Sequence, residues 1–241
     1  MKLSILGIFA HPDDAELVCS GTLLLHKALG YQVGIVDLTK GELGTRGTAE
    51  TRKAEAETAS KILNLDIRQN LALPDGFFEN TPKHQLPVIQ AIRTFQPEIV
   101  ITNAPQDRHP DHGRASQLVT EACFLAGLSK IQIQDKHGQP LSAWRPKALY
   151  YSVQDRWLMP NLVVDISPYW QRKMEAILAY KTQFYSPESH SQEPQTYIST
   201  PDFLTFLEAR AREMGHLIGV KYGEGFIKTN TIGIKNLFDI I

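Results

Sequence analysis

Two short segments combine imidazole and carboxylate side chains in a way that suits metal binding. Residues 11–14 read His-Pro-Asp-Asp, and residues 109–112 read His-Pro-Asp-His. Two neutral imidazoles with one carboxylate form a common zinc site that keeps a fourth position open for water. The same donors also suit manganese, iron or cobalt. The spacing alone leaves open which histidine of His109 and His112, and which aspartate of Asp13 and Asp14, would be a ligand.

A structural explanation competes with this chemistry, because each segment lies where a strand is expected to end and a helix to begin. Proline fits the first helical turn without losing a hydrogen bond, and acidic residues there favour the helix dipole. One such corner would be equally well explained as a helix start. Two corners that meet at one place are harder to explain in this way.

The first half of the chain alternates apolar runs of strand length with amphipathic helical segments. Strands are predicted at residues 3–10, 33–38, 67–73 and 98–103, and helices at 12–28, 49–63, 82–95 and 112–125. This alternation predicts a Rossmann-like, doubly wound α/β fold, with a mostly parallel sheet and helices on both faces. In the strand order 3-2-1-4-5, strands one and four are neighbours where the winding reverses, and ligands bind in that crevice. Both corners would therefore face one crevice.

The second half is less regular, and the whole of 1–241 is expected to be a single domain. Residues 1–128 should form the regular core that carries the site. Residues 129–241 should add further strands, a long mobile loop and a C-terminal helix. The predicted elements are strands at 148–153 and 162–166, helices at 169–180 and 201–217, and a polar loop at 184–199.

Composition excludes several classes of protein. The chain has 241 residues and a formal net charge of −1, so nothing indicates nucleic-acid binding or an anionic membrane surface. The apolar start is too short for a membrane span and lacks the order of a secretory signal. Two cysteines, Cys19 and Cys123, lie in predicted helices and favour a reducing compartment. We therefore expect a cytoplasmic protein.

Motifs along nearly the whole chain carry a family resemblance. They are residues 10–16 (Ala-His-Pro-Asp-Asp-Ala-Glu), 41–48 (Gly-Glu-Leu-Gly-Thr-Arg-Gly-Thr), 51–56 (Thr-Arg-Lys-Ala-Glu-Ala), 73–76 (Leu-Pro-Asp-Gly), 109–112 and 219–226 (Gly-Val-Lys-Tyr-Gly-Glu-Gly-Phe). Together they resemble the LmbE-like or PIG-L zinc deacetylases. Residues 44–48, 73–80 and 144–148 are most similar to the members that deacetylate N-acetylglucosaminyl L-malate in bacillithiol biosynthesis.

The resemblance implies a role for each matching residue. His11, Asp14 and His112 would hold Zn²⁺, with Fe²⁺ or another divalent metal possible at the same ligands. Asp13 would be the general base, and His109, oriented by Asp111, would stabilise the tetrahedral intermediate or assist the leaving amine. The substrate would be a small N-acetylated sugar, and the protein would be a homo-oligomer, a trimer or a hexamer.

These residues also form a chemically complete set for amide hydrolysis without the family. A divalent metal acidifies water and polarises a carbonyl oxygen. If the side chains of Asp13 and Asp14 diverge, one can be the ligand and the other the base. A cationic imidazole aimed at the developing oxyanion would stabilise it by about 3–4 kcal/mol.

Two arginines are candidates for binding an anionic group of the substrate. Arg52 opens the helix after strand two on the same rim of the sheet, where it could bind a carboxylate bidentately. The structural alternative is a solvated charge near the glutamates of that helix, although the resemblance implies a role with the malyl carboxylates. Arg108 is a similar candidate, or it pairs with Asp107.

Two further side chains have ambiguous roles. Glu16 could support a histidine ligand or only favour the helix dipole. Tyr197 could reach over the site as part of a lid or simply pack.

Three other functions compete with the deacetylation of the malate conjugate. The first is a zinc deacetylase that acts on another N-acetylglucosaminide or N-acetylated small molecule. The second is a nucleotide- or sugar-binding module whose His-Pro-Asp corners only cap helices. The third, a serine or cysteine hydrolase, is disfavoured, because the sequence has no Gly-x-Ser-x-Gly motif and both cysteines are expected to be buried.

Overall fold

A computed structural model describes residues 1–185, 193–234, 236 and 238. Within them the strands are β1 (Ile5–Phe9), β2 (Val33–Asp37), β3 (Ile67–Asn70), β4 (Ile99–Thr102), β5 (Ala148–Ser152), β6 (Leu162–Asp165) and β7 (Gly223–Ile227). The helices are α1 (Asp14–Val18), α2 (Ser20–Ala28), α3 (Ala49–Ile62), α4 (Pro82–Phe95), α5 (Pro110–Ala126), α6 (Trp170–Leu178) and α7 (Pro201–His216). Short 3-10 turns lie at Ser167–Tyr169 and Tyr197–Ser199.

The described strands form one sheet in the order β3-β2-β1-β4-β5-β7-β6. The first five strands in this order are parallel to one another, whereas β7 pairs antiparallel with both β5 and β6. The predicted doubly wound sheet and its 3-2-1-4-5 order are therefore confirmed. The switch point lies between β1 and β4, as expected from the sequence.

The central strand β1 is buried on both faces, which explains its continuous apolar run. Leu6 and Ile8 point into a core shared with α4 and α5. Ile5 and Phe9 point to the opposite face, where α1, α2 and α6 cover the sheet. Helices thus lie on both faces, and the carboxyl ends of the parallel strands stay open at one edge.

The prediction of one continuous helix over residues 12–28 is wrong, because the helix breaks at Cys19 into α1 and α2. The carboxylate of Glu224 on β7 accepts hydrogen bonds from the backbone amides of Gly21 and Thr22 and from the Thr22 hydroxyl. The ammonium of Lys173 contacts Glu224 at 2.6 Å and the carbonyl of Leu17 at 2.7 Å. This buried ion pair satisfies the ends of both helices and stabilises the break.

Two features of the second half were not foreseen. No strand was predicted at β7, whose Gly-Glu-Gly sequence is poor in strand-forming residues, although it is hydrogen-bonded on both sides. The predicted loop at 184–199 falls partly on residues 186–192, which lie outside the described residues, and it ends in a 3-10 turn.

Cys19 and Cys123 are both buried and free. Among the described residues, no helix combines the length and apolarity needed to cross a membrane.

Gly215 allows α7 to approach the chain that leads into β7. A Cβ at this position would lie 2.7 Å from the carbonyl oxygen of Val220 and 2.9 Å from the amide nitrogen of Tyr222. We expect Gly215→Ala to lower the free energy of unfolding by about 1–3 kcal/mol, because backbone atoms would have to move. Urea denaturation measures this loss. Gly233→Ala is the control, because its Cβ would meet no described atom within 4 Å; equal effects of the two changes would contradict the prediction.

Candidate metal centre and active site

The two His-Pro-Asp corners meet at the open edge between β1 and β4. The ring centroids of His11 and His109 are 4.7 Å apart, and those of His109 and His112 are 5.1 Å apart. All three rings line a cavity of about 380 Å³. The structure therefore brings together the two segments that lie far apart in the sequence.

Asp14 lies between two imidazoles. Its Oδ1 is 3.1 Å from His112 Nε2, and its Oδ2 is 3.5 Å from His11 Nδ1. Side-chain amides hold the same carboxylate in place, since Asn103 and Gln154 donate to it at 3.1 and 2.6 Å. The carboxylate is buried and fixed, with one ring nitrogen of each histidine facing it.

Each of these histidines has a carboxylate on its other ring nitrogen. His112 Nδ1 is 2.5 Å from Asp107 Oδ2. His11 Nε2 is 3.0 Å from Asp75 Oδ1 and 3.3 Å from Asp111 Oδ2. Metal-ligating histidines typically bond to a carboxylate in this way, which fixes the ring and raises its basicity.

The carboxylates around these imidazoles favour positive charge in the cluster. Burial lowers the pKa of His11, but hydrogen bonds to three carboxylates outweigh it and hold that pKa well above its usual value. Burial also lowers the pKa of His112, but the carboxylates of Asp14 and Asp107 outweigh this effect and raise that pKa to about 9. Burial would raise the pKa of Asp14, but the imidazoles of His112 and His11 hold it well below normal. A divalent cation would supply this charge and leave both imidazoles neutral.

The donor atoms thus fit a divalent metal, and more than one ligand set is geometrically open. Within the described residues, His11, His109 and His112 each have a ring nitrogen within 4.8 Å of the others, and His11, Asp75 and Asp111 form a second such group. His109 is a weaker candidate ligand than Asp14, because its Nδ1 already accepts the Asp111 backbone amide. Asp75 and Asp111 share the outer nitrogen of His11, away from Asp14.

Asp13 has an unusual backbone conformation, with φ 117°. Such a conformation costs a non-glycine residue about 1–3 kcal/mol and occurs mainly at functional sites. The carboxylates of Asp13 and Asp14 have different partners, as amide hydrolysis by one ligand and one base requires. Asp13 Oδ2 contacts Arg52 Nη1 at 3.3 Å, while Asp14 faces the histidines. Burial raises the pKa of Asp13 to about 7, against the opposing effect of Arg52.

His109 caps α5 and lines the cavity. Its Nδ1 accepts the backbone amide of Asp111 at 3.2 Å, which leaves the proton of a neutral ring on Nε2. Burial and the imidazoles of His11 and His112 lower the pKa of His109 to about 4. This lowered pKa favours a neutral ring with an N–H donor at Nε2 over the cationic imidazole expected from the sequence. Asp111 orients it through its backbone, because its carboxylate contacts His11, Gly76 and Arg114 instead.

The two candidate arginines differ in their surroundings. Arg52 is only 6% exposed, and it donates to Asp13 and to the carbonyl of Pro12. The side chain of Arg108 is 47% exposed, and its guanidinium contacts Asp155 at 3.0 Å. The alternative of an ion pair between Arg108 and Asp107 is therefore wrong. Asp107 instead binds His112 and the backbone amides of Asp155 and Arg156. Both arginines line the cavity.

Glu16 and Tyr197 have contacts that neither sequence interpretation included. Glu16 contacts Arg68 at 2.5 Å and accepts the Tyr180 hydroxyl, so its partners lie beneath α1 and not among the histidines. Tyr197 donates to Asp155 at 2.9 Å, and Arg108 lies over its ring. Tyr197 also lines the cavity.

Sequence reasoning gave no role to several residues that support this site. They are Asp75, Asn103, Asp107 and Gln154. Each follows the carboxyl end of a strand in the parallel part of the sheet, and that position was the available signal. Their partners could not be read from the sequence, because each contact depends on how a loop turns back.

Taken together, the chain is a Rossmann-like α/β protein with a histidine–carboxylate centre at its switch point. Comparison with known families matches residues 6–123 to the PIG-L family, described as GlcNAc-PI de-N-acetylase. A crystal structure of the conserved protein TT1542 from Thermus thermophilus is 36% identical, covers 96% of this chain and 97% of that one, and has a TM-score of 0.85. The chain belongs to the PIG-L (LmbE-like) deacetylase family.

Two curated relatives are more distant. A diacetylchitobiose deacetylase of Thermococcus kodakarensis is 27% identical, over 92% of this chain and 81% of that protein. A probable N-acetyl-alpha-D-glucosaminyl L-malate deacetylase 2 of Bacillus anthracis is 25% identical, over 75% of this chain and 81% of that protein.

Proposed function

We propose that this protein hydrolyses the acetamide of N-acetylglucosaminyl L-malate, giving glucosaminyl malate and acetate. The observation that carries the proposal is the buried Asp14 carboxylate between two imidazoles, with the separate, strained Asp13 carboxylate beside it. The family supports the deacetylation of an N-acetylated sugar, and the relative in Bacillus anthracis supports the malate conjugate.

In this proposal His11, Asp14 and His112 hold a divalent metal, which we expect to be zinc. When bound, such a metal lowers the pKa of water and polarises a carbonyl oxygen. Asp13 takes the proton from the attacking water and returns it to the leaving amine, a task suited to a pKa of about 7. His109 donates a hydrogen bond from its Nε2–H group to the developing oxyanion. Arg52 contacts Asp13 and, with Arg108, places positive charge on the cavity wall.

The direct test compares acetate release from N-acetylglucosaminyl malate, diacetylchitobiose and N-acetylglucosamine at equal concentrations. A kcat/KM at least about tenfold higher for the malate conjugate, worth roughly 1.4 kcal/mol of transition-state binding, supports the proposal. Preference for diacetylchitobiose or for the free sugar would replace the substrate but keep the reaction. No release from any of the three would contradict the proposed function.

Arg108→Met is expected to raise the KM for the malate conjugate by roughly tenfold, because a charge-assisted hydrogen bond on a half-exposed wall is lost. The KM for N-acetylglucosamine should stay within about twofold, since that sugar has no carboxylate. Steady-state kinetics on both substrates measure the difference. Arg156→Met is the matched control, because Arg156 is an exposed arginine outside the described cavity lining. Equal KM changes for the two substrates would contradict this role of Arg108.

A further inference from the structure

Asp75 contacts the candidate metal centre and a loop at the mouth of the cavity with one carboxylate. Its Oδ1 lies 3.0 Å from His11 Nε2. Its Oδ2 accepts the backbone amide of Leu43 at 2.9 Å. The segment Gly41–Thr45, here called the mouth loop, provides three residues that line the cavity in addition to Leu43. The same side chain therefore fixes a candidate ligand and a wall of the site.

The mouth loop packs against the guanidinium of Arg52. A Cβ on Gly41 would lie 2.9 Å from Arg52 Nη1, and one on Gly44 would lie 3.0 Å from Nη2. Gly41 has a φ of +66°, and its carbonyl accepts the Gly44 amide at 3.0 Å, so the loop turns tightly around the arginine. Arg52 in turn contacts Asp13. Contacts thus run from His11 through Asp75, the mouth loop and Arg52 to Asp13.

Hydrogen bonds hold the tip of the mouth loop, through its backbone amides and the Glu42 carboxylate. The side chain of Leu43 is 62% exposed, so it gains little from burial. Glu42 accepts the backbone amide of Asp75 at 3.1 Å, and Gly41 donates to the Thr39 hydroxyl at 3.2 Å. The Leu43 amide joins the tip to a side chain that also contacts His11. One carboxylate thus contacts both His11 and the tip of the loop.

We propose that Asp75 is a positioning residue that couples metal binding at His11 to the order of the mouth loop. Metal binding orients His11, and His11 fixes the Asp75 carboxylate, which then holds the Leu43 amide and the loop around Arg52. By thermodynamic reciprocity, an ordered loop strengthens metal binding by the same factor. The inference rests on the proposed metal centre, and its test separates the two.

Hydrogen exchange of the peptide containing Leu43, followed with and without Zn²⁺, is the test. In chelator-treated wild-type protein, saturating Zn²⁺ should slow exchange of the loop by roughly fivefold or more. In Asp75→Asn, the Kd for Zn²⁺ should rise about 10–100-fold, and saturating Zn²⁺ should no longer slow the loop. Competition with a chromophoric chelator gives the Kd independently of activity.

Asp107→Asn is the matched control. It removes the outer carboxylate from His112, and the other described partners of Asp107 are the backbone amides of Arg108, Asp155 and Arg156, none of which belongs to the mouth loop. The Kd of Asp107→Asn for Zn²⁺ should rise by a factor similar to that of Asp75→Asn, while saturating Zn²⁺ should still slow hydrogen exchange of the loop. An equal loop response in Asp75→Asn and wild type would overturn the coupling, and so would its absence in a wild-type protein that binds Zn²⁺. A wild-type protein that binds no Zn²⁺ would overturn the metal centre itself.

A second variant tests the reciprocal direction and leaves every side chain at the metal centre unchanged. Leu43→Pro removes the amide that Asp75 accepts, at an exposed position. Its Kd for Zn²⁺ should rise roughly fivefold or more, because the loop no longer holds the carboxylate. An unchanged Kd would overturn the proposal even if Asp75→Asn failed to fold.

Discussion

Asp13→Asn is expected to lower kcat by about 10²–10⁴-fold, while the protein keeps its fold and its metal. Asparagine has nearly the same shape, but it cannot accept the proton of the attacking water. Burial already raises the pKa of Asp13 to about 7, so a neutral amide replaces a carboxylate that is costly to ionise in the folded protein. Acetate release and metal content, measured on the same preparation, test this result.

Asp202→Asn makes the same chemical change on the exposed first turn of α7 and should leave kcat unchanged. A loss of less than about tenfold in Asp13→Asn, below the range of general-base catalysis, would contradict the role of Asp13. Loss of the metal from that variant would instead make Asp13 a ligand.

Lys173→Met is expected to lower the free energy of unfolding by about 3 kcal/mol, near the lower end for breaking a buried ion pair. The side chains of Lys173 and Glu224 are only 2% and 3% exposed, so the substitution would leave the Glu224 charge unpaired in the interior. The loss should stay near that lower end, because Glu224 keeps three hydrogen bonds at the start of α2. Equilibrium unfolding in guanidinium measures it.

Lys147→Met provides the comparison, because Lys147 and Glu98 form an ion pair whose side chains are 71% and 47% exposed. Exposed pairs contribute about 0–1 kcal/mol. The double variant Lys173→Met/Glu224→Gln should recover part of the loss, since it leaves no buried charge unpaired. A Lys173→Met loss no larger than that of Lys147→Met would contradict the structural role of the pair.

The sequence alone was sufficient to predict the sheet that positions the site. The apolar runs that became β1, β2 and β4 are continuous because these strands are buried on both faces, and such runs are readable without a structure. The order of the strands followed from their alternation with helices. Once β1 and β4 were placed side by side, His11 and His112 had to lie at one edge.

The rest depended on contacts between distant segments. Glu224 stands 202 positions from Thr22, and β7 is held by pairing on both sides more than by its own residues. The contacts of Asp75 with His11 and of Asp107 with His112 arise where loops fold back on the strands. Burial and two neighbouring imidazoles lower the pKa of His109 to about 4, and residue spacing does not reveal these effects.

The most direct test of the whole account is acetate release by one preparation before chelation, after chelation and after reconstitution with Zn²⁺. We predict about one metal ion per chain, held by His11, Asp14 and His112. With N-acetylglucosaminyl malate as substrate, acetate release should be lost on chelation and should return with Zn²⁺. Full activity in a protein shown to be free of metal would contradict the account at its centre.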